Sequence, residues 1–235
     1  VVLLHGVVGE PDVALGLRDY FRGIADRLSQ AGVAVYSPRL PAAASVAVRA
    51  RALARAIERI PAERVNIIAH SMGGLDARYA ISRLGLKGRV ASLITVATPH
   101  HGTPLADLGA GILADRLGIA KLLAAVRVDV AAIHDLTTDR AAAFNRQVPD
   151  AECVEYGCVV ASAVQVIHPL LRPTHSYLHR RAGPNDGLVP VASQRWGTVY
   201  AEVEADHWAQ IGRSTTFDAP ALYERLAREL ASRGL

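Results

Sequence analysis

Short apolar runs alternate with longer stretches of helical period along this chain. Val1–Leu4, Val33–Tyr36, Val65–Ala69, Val90–Val96, Cys158–Ala161 and Thr198–Val203 read as strands, most of them lacking a polar residue at every second position. Strands of that kind are buried on both faces. Between them Leu17–Gln30, Ser45–Ile60, Met72–Leu84 and Phe217–Ser232 place apolar residues on one helical face, and Gly32, Pro61 and Gly85 close the first three. Strand and helix in strict alternation predict βαβ units, hence an α/β fold with a mostly parallel central sheet and helices on both faces.

One stretch departs from the alternation. Between Pro104 and Pro149 the text is helical and apolar, GILADRLGIAKLLAAV and then LTTDRAAAFNRQV, with no clear strand. An excursion of this size at the sheet's carboxyl edge reads as a helical cap or lid at about 104–149. A pair of helices that simply adds to the core fits it equally well. No repeat or low-complexity linker interrupts the rest, and 235 residues suit a single domain over 1–235.

Composition narrows the function more than the fold. Half the residues are apolar and a fifth are charged, an ordinary globular mixture, and the net charge is +4. The positive residues are nearly all arginine and are interspersed with acids along helices, as in Arg49, Arg51, Arg55, Glu58 and Arg59, which reads as a solvated surface. With three Phe and no zinc spacing, no nucleic-acid partner is expected. An extended segment would hold Cys153 and Cys158 about 16 Å apart, too far to pair without a tight turn, so two free thiols are expected. No run of about 18 apolar residues and no charged-then-apolar leader is visible, which favours a cytoplasmic location over secretion. The chain opens directly in an apolar run, so a removed leader stays open.

Chemistry in an open parallel sheet gathers beyond the carboxyl ends of the strands. Ser71 lies there, in IIAHSMGGL, between a predicted strand and a predicted helix. A nucleophile on such a turn needs small residues two before and two after it, and Ala69 and Gly73 supply them. The alternative is a serine that caps the following helix. A cap does not call for the Gly73–Gly74 pair, since each glycine costs a helix about 1 kcal/mol.

A serine hydroxyl needs a base, and the base needs an orienting carboxylate. Of nine histidines, His207 alone follows the last predicted strand; His5 and His70 sit at earlier strand ends, His100, His101 and His134 near the cap, and His168, His175 and His179 in an irregular stretch before Gly183. Asp186, on the turn-forming GPNDG, suits the acid, with Asp206 as the alternative and a plain Asx turn as the bland reading. An oxyanion hole needs two backbone N–H groups. Met72, after the serine, offers one, and Val7, in the loop after the first strand, the other.

With those residues in place the chain resembles the bacterial triacylglycerol lipases and related esterases of the α/β-hydrolase superfamily. The resemblance rests on LLHG, DYFRGIADRLSQAGVAVYSP, AHSMGGLDARYAISRLG, VASLITVATPHHGTPLAD, LTTDRAAAFN, GPNDGLVPVASQRWG and DHWAQIG, which together span nearly the whole chain. It implies an α/β-hydrolase fold and carboxylic ester hydrolysis through an acyl-enzyme, with Ser71, Asp186 and His207 as the triad and Val7 and Met72 as oxyanion donors. It implies a small-molecule or lipid ester as substrate and transient contact with lipid surfaces. Larger relatives hold a structural calcium through an acid two residues after the histidine; Ala209 stands there, so neither metal nor cofactor is expected. Leu105, Leu108 and the apolar positions from Ile112 to Val126 are candidates for an acyl-binding wall or for plain core. An acyltransferase or thioesterase would use the same triad, and a non-catalytic binding protein of this fold is the remaining alternative.

Overall fold

The computed structural model describes residues 1–7, 20–42, 44–109, 130–164 and 168–235. Its elements are β1 (Val2–Leu4), α1 (Ile24–Gln30), α2 (Val46–Glu58), β2 (Val65–His70), α3 (Gly73–Arg83), β3 (Val90–Val96), α4 (Pro104–Gly109), α5 (Val130–Asp135), α6 (Thr138–Gln147), β4 (Glu155–Ser162), α7 (Arg172–Ala182), α8 (Val191–Gln194), β5 (Thr198–Glu204) and α9 (Ala219–Ser232). The five strands form one sheet in the order β1-β2-β3-β4-β5, every neighbouring pair parallel. This is the parallel α/β sheet that the alternation of strand and helix predicts.

Alternation along the strands builds two cores. Val2, Leu4, Ile67 and Leu93 point to one face, where Leu53 and Ile57 of α2 and Ala77 and Ile81 of α3 cover them. Leu3, Ile68, Ile94 and Val159 point to the other, under Ile24 and Leu28 of α1 and Leu222, Leu226 and Leu230 of α9. Each such leucine or isoleucine withdrawn from water contributes about 2 kcal/mol. Both faces are covered, which is why the strands lack polar alternation.

Three expectations change. Val33–Tyr36 makes only a single bridge, Tyr36 with Val2, because Pro38 has no N–H to continue the ladder beside β1. The stretch before Gly183 is not irregular: α7 occupies 172–182, with Pro173 in its first turn and Gly183 beyond its end at φ 80°. Arg49 is not part of a solvated surface, being wholly buried on the inner stripe of α2 with Val46, Ala50, Leu53, Ala54 and Ile57. Cys153 is exposed, Cys158 is buried in β4, and both are free thiols.

The described helices of the 104–149 segment are tied to the body. Asp135 at the end of α5 accepts the Val46 N–H at the start of α2 at 2.8 Å, and Asp107 of α4 does the same for Thr138 of α6. Both starts lack a cap from their own Ser45 or Thr137 side chain, so a carboxylate from another element satisfies the orphan donor. Residues 110–129, which include the positions from Ile112 to Val126, lie outside the described residues. Leu105 is buried against Leu178 of α7, a core contact.

Candidate active site

The site starts with a backbone conformation. Ser71 sits between β2 and α3 at φ 56°, and the only other non-glycine residue with positive φ among the described residues is Ala97, at the end of β3. Such a conformation costs an L-residue about 1 kcal/mol or more and persists only where the surroundings impose it. The surroundings are visible. The Ser71 N–H is bonded to the Val96 carbonyl, and its carbonyl accepts the Thr98 hydroxyl at 2.6 Å and the Gly74 N–H. Ser71 caps nothing: the residue preceding α3 is Met72, and no side chain caps that helix.

Small residues around the turn are required, though for a reason that spacing along the chain does not reveal. A Cβ at Gly73 would stand 2.8 Å from the Leu4 carbonyl oxygen and 2.9 Å from that of His5, so the crowding is against the end of β1. One at Gly6 would stand 2.8 Å from the Ser71 Cβ. Ala69 is buried in β2 with Leu4 and Thr95 beside it in register. The loop after β1 and the serine turn therefore touch through bare backbone.

The loop after β1 is held in a fixed orientation. Arg49 Nη2 donates to the carbonyls of His5 at 2.8 Å and Gly6 at 3.0 Å, its Nη1 to Pro41 at 2.6 Å, and its Nε to Asp76 of α3 at 2.8 Å. The Leu40 N–H donates to His5 Nε2, which leaves Nδ1 as the protonated nitrogen, donating to the Gly6 carbonyl at 2.8 Å. Because a trans peptide sets C=O and N–H on opposite sides, a Gly6 carbonyl gripped by Arg49 and His5 turns the Val7 N–H of the same peptide away from them. Burial and the nearby Arg49 lower the His5 pKa to about 4, so this ring is neutral. Burial pushes the Asp76 carboxyl up, with Arg49 pulling against it.

Asp186 and His207, the expected acid and base, lie side by side. Asp186 and His207 are both buried, and His207 Nδ1 donates to Asp186 Oδ2 at 2.7 Å. Asp186 Oδ1 takes the N–H groups of Leu188 and Val189, and the His207 N–H donates to the Asp186 carbonyl. The imidazole is thus fixed with Nε2 as the nitrogen able to take up a proton. Asp206 is engaged elsewhere, its Oδ1 accepting the Trp208 and Ala209 N–H groups. His207's ring lies 4.5 Å from that of His70, the residue before Ser71. The side chains of Val7 and Met72 pack in one cluster with Val46, Leu75 and Ala132.

Sequence reading missed three residues. Gln210 donates to Asp186 Oδ2 at 3.2 Å from the turn after His207. Arg49 betrayed itself only by standing on the apolar stripe of α2. Arg78, also fully buried, places its guanidinium 3.6 Å from the Trp196 ring and donates to Asn145 and the Val148 carbonyl, joining α3 to the end of α6.

Comparison with known proteins places these residues in context. Residues 1–117 match the model of the α/β hydrolase fold family. The chain is 29% identical to a triacylglycerol lipase of Pseudomonas fragi, over the whole of this chain and 97% of the relative. It is equally identical to a triacylglycerol lipase of Vibrio cholerae, over all of this chain and 88% of that one. Among solved structures, a metagenomic carboxyl esterase superposes with a TM-score of 0.81 at 21% identity, covering 99% of this chain and 75% of that one. The mature lipase BlEst2 of Bacillus licheniformis gives 0.76 at 22%, over 89% and 85%.

Proposed function

We propose that this chain, which belongs to the lipase and esterase family of α/β-hydrolases and is a carboxylic ester hydrolase, works through Ser71, Asp186 and His207 by way of an acyl-enzyme. The observation that carries the reading is the left-handed Ser71 at a strand-to-helix junction, a conformation it holds without its side chain capping the helix. The Asp186–His207 pair supports it, since a base must be held in one tautomer before it can serve a hydroxyl.

In this mechanism His207 Nε2 takes the Ser71 proton as Oγ attacks the ester carbonyl. The negative charge that develops on the carbonyl oxygen is met by the N–H groups of Val7 and Met72. Both belong to rigid backbone: one peptide is gripped through its carbonyl, and the other opens a helix whose dipole favours an anion. The alcohol leaves with the proton from His207, and a water then repeats the sequence on the acyl-serine. The buried Asp186 steadies the imidazolium in both halves. Triacylglycerols, the substrates in the relatives' names, are the proposed substrate class, with contact at a lipid surface.

The test is Ser71→Ala. Turnover of a p-nitrophenyl ester should fall by at least about a thousandfold while circular dichroism and melting stay those of the parent. Fluorophosphonate labelling should vanish with it. Retained turnover in a folded Ser71→Ala protein overturns the assignment. Thioester substrates and added alcohols separate hydrolysis from acyl transfer.

A further inference from the structure

The hydroxyl of Tyr20 stands between the two halves of the site. The Gly6 N–H donates to it at 3.0 Å, and it lies 2.8 Å from His70 Nδ1. Tyr20 is buried, packing edge-on to Phe21 and His70 and tilted against His5. His70 is buried too, its ring against that of His207. Neither Tyr20 nor His70 has a role in the reaction described so far.

Donor and acceptor chemistry assigns the protons. A backbone N–H only donates, so the Tyr20 oxygen accepts from Gly6 and has its own proton to give. His70 is neutral, because burial and the neighbouring His207 push its pKa well below 6.5. A neutral imidazole carries one N–H. With the Gly6 N–H already on its oxygen, the Tyr20 hydroxyl gives its proton to Nδ1, the bare nitrogen, and Nε2 carries the hydrogen with no hydrogen-bond partner among the described residues.

We infer that Tyr20 and His70 are positioning residues for the ester hydrolysis: one phenol hydroxyl ties the backbone that precedes the Val7 donor to the ring on which His207 rests. The chain runs Gly6 N–H to Tyr20 oxygen and Tyr20 O–H to His70 Nδ1, and the His70 ring lies against that of His207, 4.5 Å between centroids. It fixes His70 in one tautomer and one rotamer, and so gives His207 a ring to rest against. Asp186, itself steadied by Gln210, holds that imidazole through Nδ1 alone, and a ring held at one atom tilts. The inference rests on His207 being the base.

Tyr20→Phe removes one oxygen and keeps the packed ring. It leaves the Gly6 N–H without its acceptor and His70 Nδ1 without its donor. On a soluble ester, kcat should fall between about tenfold and a hundredfold, the scale of a small misplacement of reacting groups, while KM stays within twofold. His70→Phe should cost a similar factor, and the double variant no more than the larger single loss, since both cut one chain. Two-dimensional ¹⁵N–¹H spectra of the histidine rings should show His70 as Nε2–H with an acceptor Nδ1 in the parent, and a mixture of tautomers in Tyr20→Phe.

The outcomes separate cleanly. An unchanged kcat in folded Tyr20→Phe, additive losses in the double variant, or a parent His70 protonated at Nδ1 overturns the inference. A parent that turns over no ester overturns the function itself, while the tautomer spectrum still decides how His70 is held.

Discussion

At Gly73 two effects of one methyl group compete. Alanine at the start of a helix gains about 1 kcal/mol over glycine in propensity. Here its Cβ would meet two carbonyl oxygens at 2.8 and 2.9 Å, neither on a flexible side chain. Overpacking of rigid atoms costs about 1–3 kcal/mol, so the clash wins. Gly73→Ala should therefore lower the denaturant midpoint and, because the displaced atoms belong to Leu4 and His5, reduce kcat on a soluble ester at least tenfold, about 1.4 kcal/mol of barrier. A stabilised, fully active variant would mean that the end of β1 yields freely. The sequence showed that a small residue was needed here and misplaced the cause: sequence spacing pointed to Ala69, whereas the contact is with a strand far earlier in the chain, which no local pattern encodes.

Elements were legible where periodicity and punctuation agreed. β2, β3, α2, α3 and α9 fall close to where apolar spacing and glycine or proline stops put them. α7 was passed over although Pro173 and Gly183 bracket it, because RPTHSYLHRRA is so polar that only Thr174 and Leu178 turn inward. The residues of the proposed triad were readable for a different reason: each follows a strand end or a turn with its own local signature. Arg49 was not, since charge was taken to mean solvent. Its buried guanidinium joins α2, α3 and the loop after β1 through Asp76 and two loop carbonyls. Truncating one partner of a buried pair leaves the other charge stranded, at about 3–5 kcal/mol. Arg49→Met should lower stability by that amount in urea titration, and on substrate assay should lose kcat more than KM as the Gly6 peptide is released. Equal stability with unaltered kcat would show that the carbonyls are held by other groups.

Across the whole molecule, buried histidines set the acid limit. His5, His70 and His100 are held neutral, their pKa values lowered chiefly by burial, that of His5 to about 4. In the unfolded chain each takes a proton near pH 6.5, so below that pH the unfolded state binds more protons and stability falls. Each contributes a slope of up to about 1.4 kcal/mol per pH unit in that window. Asp76 opposes them, its raised carboxyl favouring the folded state as pH falls from about 7, but it is one group against three. The melting temperature should drop steadily from pH 7 to pH 5. A flat profile, followed calorimetrically in parent and in a His100→Gln variant, would show that the burial is relieved by water. The opposite flank of the molecule is governed by exposure. β5 closes the sheet as an edge strand, with Glu202 and Glu204 on it exposed and Glu202 paired to Arg195. Two copies meeting edge to edge would bring these carboxylates together, and like charges there repel. The strand most able to template fibril growth thereby carries the charges that oppose its pairing with a second copy of itself.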